Sequence, residues 1–184
     1  MSKEDKRERL IDAAYKVFAK KGFNNASIKD IAHEADITSG LVHYYFKNKE
    51  DLLISVQEKV QQRYHKKYGE KDVQNLTPSE TLQEIKSRAK TDPDWYRWRY
   101  ELYSLGLKNE VMGEKVAEIL KNGRESLSVP IKQLTNGSGH EDQLAAILLA
   151  CFDGLALQKI VDENFDSDGA YDLLIKLVEI YFDK

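Results

Sequence analysis

Ser27-Ile-Lys-Asp-Ile-Ala-His-Glu-Ala-Asp-Ile-Thr-Ser-Gly-Leu-Val-His-Tyr-Tyr-Phe46 is the stretch on which the fold turns. Ser27, with Asp30 three residues on, reads as a capping box, although Asp is shorter than the usual Glu. Ile28, Ile31, Ala32 and Ala35 follow at helical spacing. Asp36 interrupts them at a tight turn, where positive φ is often required; Asp tolerates it better than most residues with a Cβ. Thr38 then reads as the N-cap of a second helix, with Leu41, Val42, Tyr45 and Phe46 as its apolar residues. Two short helices across one tight turn have the size of a helix-turn-helix. Ile28, Ile31 and Ala35 would brace the second helix, with Ile31, Ala35, Leu41 and Phe46 in the core. Ser39, Gly40, His43 and Tyr44 would form its outward edge. Small residues there allow close backbone approach to a major groove, and hydroxyl and imidazole groups can reach phosphates or base edges.

Upstream, Leu10, Ile11, Ala14, Val17 and Phe18 mark one face of a helix over Lys3 to Lys21, which Gly22 stops. Downstream, Asn48 caps a longer helix carrying Leu52, Leu53, Val56 and Val60 on its inner face. Residues 1–47 thus form a three-helix head, and 48–184 a second domain. Thr77-Pro78-Ser79-Glu80 and Asp92-Pro93 are helix starts with proline at the first helical position. Asn109 to Leu134 is a long helical stretch that Pro130 kinks or ends. Asn136 to Gly139 reads as a loop, and Glu141 to Val161 and Gly169 to Phe182 as two closing helices. No strand alternation and no repeat is present. The expectation is an all-α chain of about nine helices.

Phe18-Ala-Lys-Lys-Gly-Phe23, Ser27-Ile-Lys-Asp-Ile-Ala32, Gly40-Leu-Val-His-Tyr-Tyr-Phe46 and Lys49-Glu-Asp-Leu52 together resemble the N-terminal domain of TetR-type transcriptional regulators. The resemblance implies an all-helical homodimer on double-stranded operator DNA, with a C-terminal domain that binds a small-molecule effector. It implies DNA contacts at Ser27, Lys29, Thr38, Ser39, Gly40, His43, Tyr44 and Lys49. Lys49 matches a common phosphate-binding lysine, and the N-terminal Lys and Arg residues add phosphate neutralisation. His43 stands where the family usually has a tyrosine, which leaves its role open, with Tyr44 able to assume part of it. Asp36 replaces the usual turn glycine. The expected function is ligand-controlled transcription regulation, as a repressor released from a palindromic operator by its effector. The competing class is an all-helical small-molecule or protein-binding module that does not bind DNA.

Composition fits this reading. The 184 residues carry a net charge of -3. Residues 1–50 hold ten basic and eight acidic groups, so a mildly basic head sits on an acidic body. The near-continuous apolar run Leu144 to Phe152 is too short for a bilayer that needs about 20 residues. The N-terminus has no apolar core of a secretory signal. A cytoplasmic protein with no membrane partner is expected. Cys151 is the only cysteine, which excludes an intrachain disulfide. The four histidines show no paired metal spacing. No phosphate-binding glycine loop or nucleophile elbow occurs. No enzyme activity, cofactor or metal is therefore expected, and His33 reads as a surface histidine.

The body has two conspicuous features. Between Trp95 and Leu107 the apolar side chains cover an arc of about 220°, too broad for a surface helix. Arg99 falls inside that arc, and an unpaired buried charge costs several kcal/mol. Three readings stay open: Arg99 pairs with Asp153, meets an anionic effector group among the aromatics, or snorkels to solvent. The candidate effector residues are Trp95, Trp98, Arg99, Leu102, Tyr103 and Asp153. The last two helices carry more apolar surface than one subunit would cover. Ile147, Cys151, Gly154, Leu155, Leu174, Val178 and Tyr181 are the candidate dimer interface, with an intramolecular core as the alternative.

Overall fold

The computed structural model describes residues 3–68, 78–135 and 139–182, and it is helical in the manner expected. Nine helices are present among the described residues: α1 Lys3–Lys21, α2 Ile28–Glu34, α3 Ser39–Tyr45, α4 Lys49–Tyr68, α5 Pro78–Thr91, α6 Pro93–Gly106, α7 Glu110–Thr135, α8 Glu141–Val161 and α9 Ser167–Phe182. The expected Thr77 cap and most of the Asn136 to Gly139 loop lie outside the described residues. α7 runs on past Pro130 to Thr135, so the proline does not end it.

The chain divides into two compact units. The first comprises Met1–Asn75 together with Arg97–Glu101, the middle turn of α6. Its core is built where the periodicity placed it: Leu10, Ala14 and Phe18 of α1, Ile31 of α2 and Leu52 and Val56 of α4 are all inaccessible to solvent. Trp98 of α6 completes that core. Its indole stacks on Phe18 at 6.0 Å between centroids and meets Tyr15 edge-on at 6.0 Å. Its Nε1 donates to Gln57 Oε1 at 3.1 Å, so the buried N–H is satisfied. Lys59 pairs with Glu8 and Asp12, and Arg63 with Asp12, which ties α1 to α4 at the surface.

The second unit comprises Leu76–Tyr96 and Leu102–Lys184. Its core joins Leu82 and Ile85 of α5, Ile131 of α7, Ala145, Leu148 and Phe152 of α8, and Tyr171, Ile175 and Val178 of α9. Phe152 and Tyr171 stack at 6.3 Å. The short apolar run noted in the sequence lies inside α8, whose 21 residues are long and apolar enough to cross a membrane by length and composition. One face of α8, with Ala145, Leu148 and Phe152, lies in the core of this unit. α6 starts as expected: Asp92 accepts from the Trp95 amide and Pro93 occupies the first turn.

Candidate nucleic-acid interface

The pair α2–α3 is held by three local devices. Ser27 Oγ accepts from the Asp30 amide at 3.1 Å while Asp30 Oδ2 accepts from the Ser27 amide at 2.9 Å, a complete capping box. Lys21 Nζ also donates to Asp30 at 2.8 Å. That hydrogen bond, then those from Ser27, hold the Asp30 carboxyl well below the usual carboxylate range. The turn follows. The Ala35 amide donates to Ile31 O, and the Ile37 amide to Ala32 O, each at 2.9 Å. Asp36 has φ of 51°, the left-handed conformation expected of it. Arg9 Nη2 donates to Ala35 O at 2.5 Å and so pins the turn from α1.

α3 buries Val42, with Phe46 behind it. Leu41, expected in the core, is only half-buried. Gly40, His43 and Tyr44 stand exposed, whereas Ser39 is half-buried. A Cβ placed on Gly40 would have nothing within 4 Å. Thr38 occupies the N-cap position, but its side chain makes no cap hydrogen bond. Lys29 is exposed on α2. Lys3 lies over the Tyr44 ring at 4.9 Å from its centroid, and its hydrogen bond with Tyr44 raises its pKa. Exposed on one short helix and its flanks are therefore a glycine, an imidazole, a phenol, a hydroxyl and two ammonium groups. Such a set can donate to phosphates and to base edges.

Some of the expected cations have other engagements. Lys49 is half-buried, and its Nζ donates to Phe23 O at 2.7 Å and Ala26 O at 3.0 Å. Arg7 donates to Ser55 Oγ at 3.2 Å and lies over the Phe46 ring. The sequence assigned Lys49 to phosphate by resemblance and Arg7 by charge, and showed neither the carbonyls nor the hydroxyl and ring they serve. Arg9 and Glu101 were missed as structural partners for the same reason, since each meets backbone far away in sequence.

Residues 10–56 match the model of bacterial regulatory proteins of the tetR family. That segment is similar to the N-terminal domain of this family. A stretch of 54 residues is 43% identical to the fatty acid metabolism regulator protein of Bacillus subtilis, covering 29% of this chain and 28% of that protein. The first curated relatives are matched over only 18% to 34% of their own length. A longer match joins the chain to the HTH-type transcriptional regulator PksA of the same organism, 25% identical over 86% of this chain and 80% of that one. Among solved structures, the transcriptional regulator FadR from Bacillus subtilis, in complex with stearoyl-CoA, superposes with a TM-score of 0.72. It is 26% identical and covers 92% of this chain and 96% of that one. The tetR match thus ends eight residues into α4 and leaves the rest of the chain to be read from its own geometry.

In the second unit, Tyr103 OH donates to Asp153 Oδ2 at 2.9 Å. Trp95 meets Tyr96 edge-on at 4.7 Å, and Leu102 is buried. Tyr171 lies in the same unit, and burial, then the charge of Asp153, pushes its phenol up to about 12. Trp98 and Arg99, also named as effector candidates, are both buried and belong to the first unit, where the indole serves the core. Leu107, placed in the apolar arc, is 88% exposed just beyond the end of α6.

The dimer candidates divide. Val178 is buried in the core of the second unit, with Leu155 and Leu174 packed against it. Ile147 and Tyr181 are exposed, while Cys151 and Gly154 are half-buried. Val161 and Leu177, which belong to the excess apolar surface read from the sequence, are exposed as well, and so are Leu157, Leu173 and Ile180, which the sequence reading did not single out. A Cβ on Gly154 would meet no atom of the described residues within 4 Å.

Proposed function

We propose that this chain is a dimeric, effector-controlled DNA-binding transcriptional regulator, and a repressor released from a palindromic operator. The reading is carried by α3: seven residues, braced on a capped α2 through a left-handed turn, with Gly40, His43 and Tyr44 facing outward. Residues 1–47 act as the reading head. In this reading, Ser39, Gly40, His43 and Tyr44 enter the major groove, and Thr38 offers its hydroxyl. Lys29 and Lys3 neutralise phosphate, and the N-terminus of α2 at Ser27 faces the backbone. Two heads related by twofold symmetry read two half-sites one helical turn apart.

The remaining parts follow from the second unit. An exposed apolar stripe on α8 and α9 suits a second copy of the chain, and Gly154 lets the two backbones approach. A glycine inside a helix costs about 1 kcal/mol against alanine, and no packing among the described residues requires this one. Trp95, Leu102, Tyr103 and Asp153 are the effector candidates, a mixture of aromatic surface and one polar pair. An effector that binds one arrangement of the dimer more tightly would shift the population away from the operator-competent one.

A gel shift on the DNA upstream of its own gene, at two salt concentrations, tests the reading. Retardation that weakens steeply with salt is expected, because each phosphate contact releases counterions. A chain that leaves every such fragment unretarded at low salt is a helical ligand- or protein-binding module instead. Loss of retardation on adding a metabolite would identify the effector.

A further inference from the structure

We propose that Glu101 and Lys49 are positioning residues for the reading head: they clasp the α1–α2 turn at Phe23 and so fix the pose of α2. The inference rests on the DNA-binding reading above, and all its parts lie within the first unit. Phe23 N–H donates to Glu101 Oε1 at 2.5 Å, across 78 residues of sequence. The carbonyl of the same residue accepts from Lys49 Nζ at 2.7 Å, and Ala26 O accepts from it at 3.0 Å. A carboxylate thus faces the amide and an ammonium faces the carbonyls, the polarity that makes each hydrogen bond charge-assisted and stronger than a neutral one. Lys49 also sits 4.3 Å over the Phe23 ring, which is itself buried against Phe18.

Gly22 leaves room for the carboxylate beside the turn. Its φ is +75°, a conformation that side chains rarely adopt, and a Cβ there would stand 3.2 Å from Glu101 Oε2. The clasp closes on Ala26, one residue before the Ser27 cap that starts α2. Whatever orients this turn therefore orients Lys29 and, through the following turn, α3. An ammonium has three donors, and two of those on Lys49 are engaged with carbonyls. Its effect on DNA binding is then indirect, unlike that of a lysine whose charge meets phosphate.

The test uses the full-length chain and the DNA upstream of its own gene. Glu101→Ala, Glu101→Gln, Lys49→Gln and Lys29→Gln are compared by amide hydrogen exchange at Phe23 and by affinity across a salt series. Glu101→Ala is expected to speed Phe23 exchange and weaken DNA binding, each about tenfold, with the salt slope unchanged. Glu101→Gln, which keeps an acceptor for the amide, restores most of both. Lys49→Gln weakens binding with the slope unchanged, whereas Lys29→Gln lowers the slope by about 1. Wild-type exchange and affinity in Glu101→Ala would overturn the role of Glu101. A slope lowered equally by Lys49→Gln would make Lys49 a phosphate ligand. Absence of DNA binding by the wild type sinks the DNA reading, while Phe23 exchange still reports on the clasp itself.

Discussion

Gly40 stands in open space on the first turn of α3. Nothing in the fold needs it to be glycine, since φ there is ordinary and no neighbour crowds it. Gly40→Ala should therefore raise thermal stability, by up to about 1 kcal/mol for a helix position, while weakening operator binding. Calorimetry and a gel shift together check this; equal losses in both would mean that Gly40 serves the fold. Asp30 gives a second prediction. Its carboxyl is held low, chiefly by the Lys21 hydrogen bond and then by Ser27. A group with a depressed folded pKa stabilises above its unfolded value, near 4, and that contribution is lost as pH falls toward the folded value. Asp30→Asn should flatten the acid limb of thermal midpoint against pH below about pH 4 and leave the rest of the curve parallel. Asp36 and the Ser27 box were legible because turn and cap chemistry is local. Lys49, Arg9 and Glu101 were not, because their partners lie 26, 26 and 78 residues away and are backbone atoms with no sequence signature.

Among elements, the two short helices are capped in different ways. Ser27 satisfies the start of α2 with its hydroxyl, whereas the Thr38 side chain makes no such bond for α3. Ser27→Ala should cost about 1 kcal/mol of stability, the usual value of a cap, and Thr38→Ala much less. Urea unfolding of the two variants decides it; on the proposed function, Thr38→Ala still weakens DNA binding. α9 shows where periodicity stops informing. Tyr171, Ile175 and Val178 repeat at helical spacing and face the core, while Leu173, Leu177 and Ile180 repeat at the same spacing and face outward. Both stripes satisfy one pattern, so the sequence announced an excess of apolar surface without saying which stripe was inside. Val178 was consequently assigned to the interface. α8 presents the same ambiguity, with Ala145, Leu148 and Phe152 inward and Ile147, Leu157 and Val161 outward.

For the whole molecule, the outward stripe makes the assembly testable. Leu177→Glu places a charge on an exposed position of α9 that is not part of the buried core cluster. It should leave the thermal transition of the subunit nearly in place while shifting sedimentation toward the single-chain mass. On the proposed function, operator affinity should fall with it, because a lone head loses the second half-site. A variant that sediments as wild type would move the association surface elsewhere.

The membership of Arg97–Glu101 in the first unit bears on how this protein can be taken apart. The recognisable motif ends at residue 56, and a chimaera built by transplanting that segment onto a foreign body looks natural from the alignment. Such a graft would leave behind the indole that roofs Phe18 and Tyr15 and the acid that seats Phe23. Head swapping with this chain should succeed only when that single turn of α6 travels with the donor.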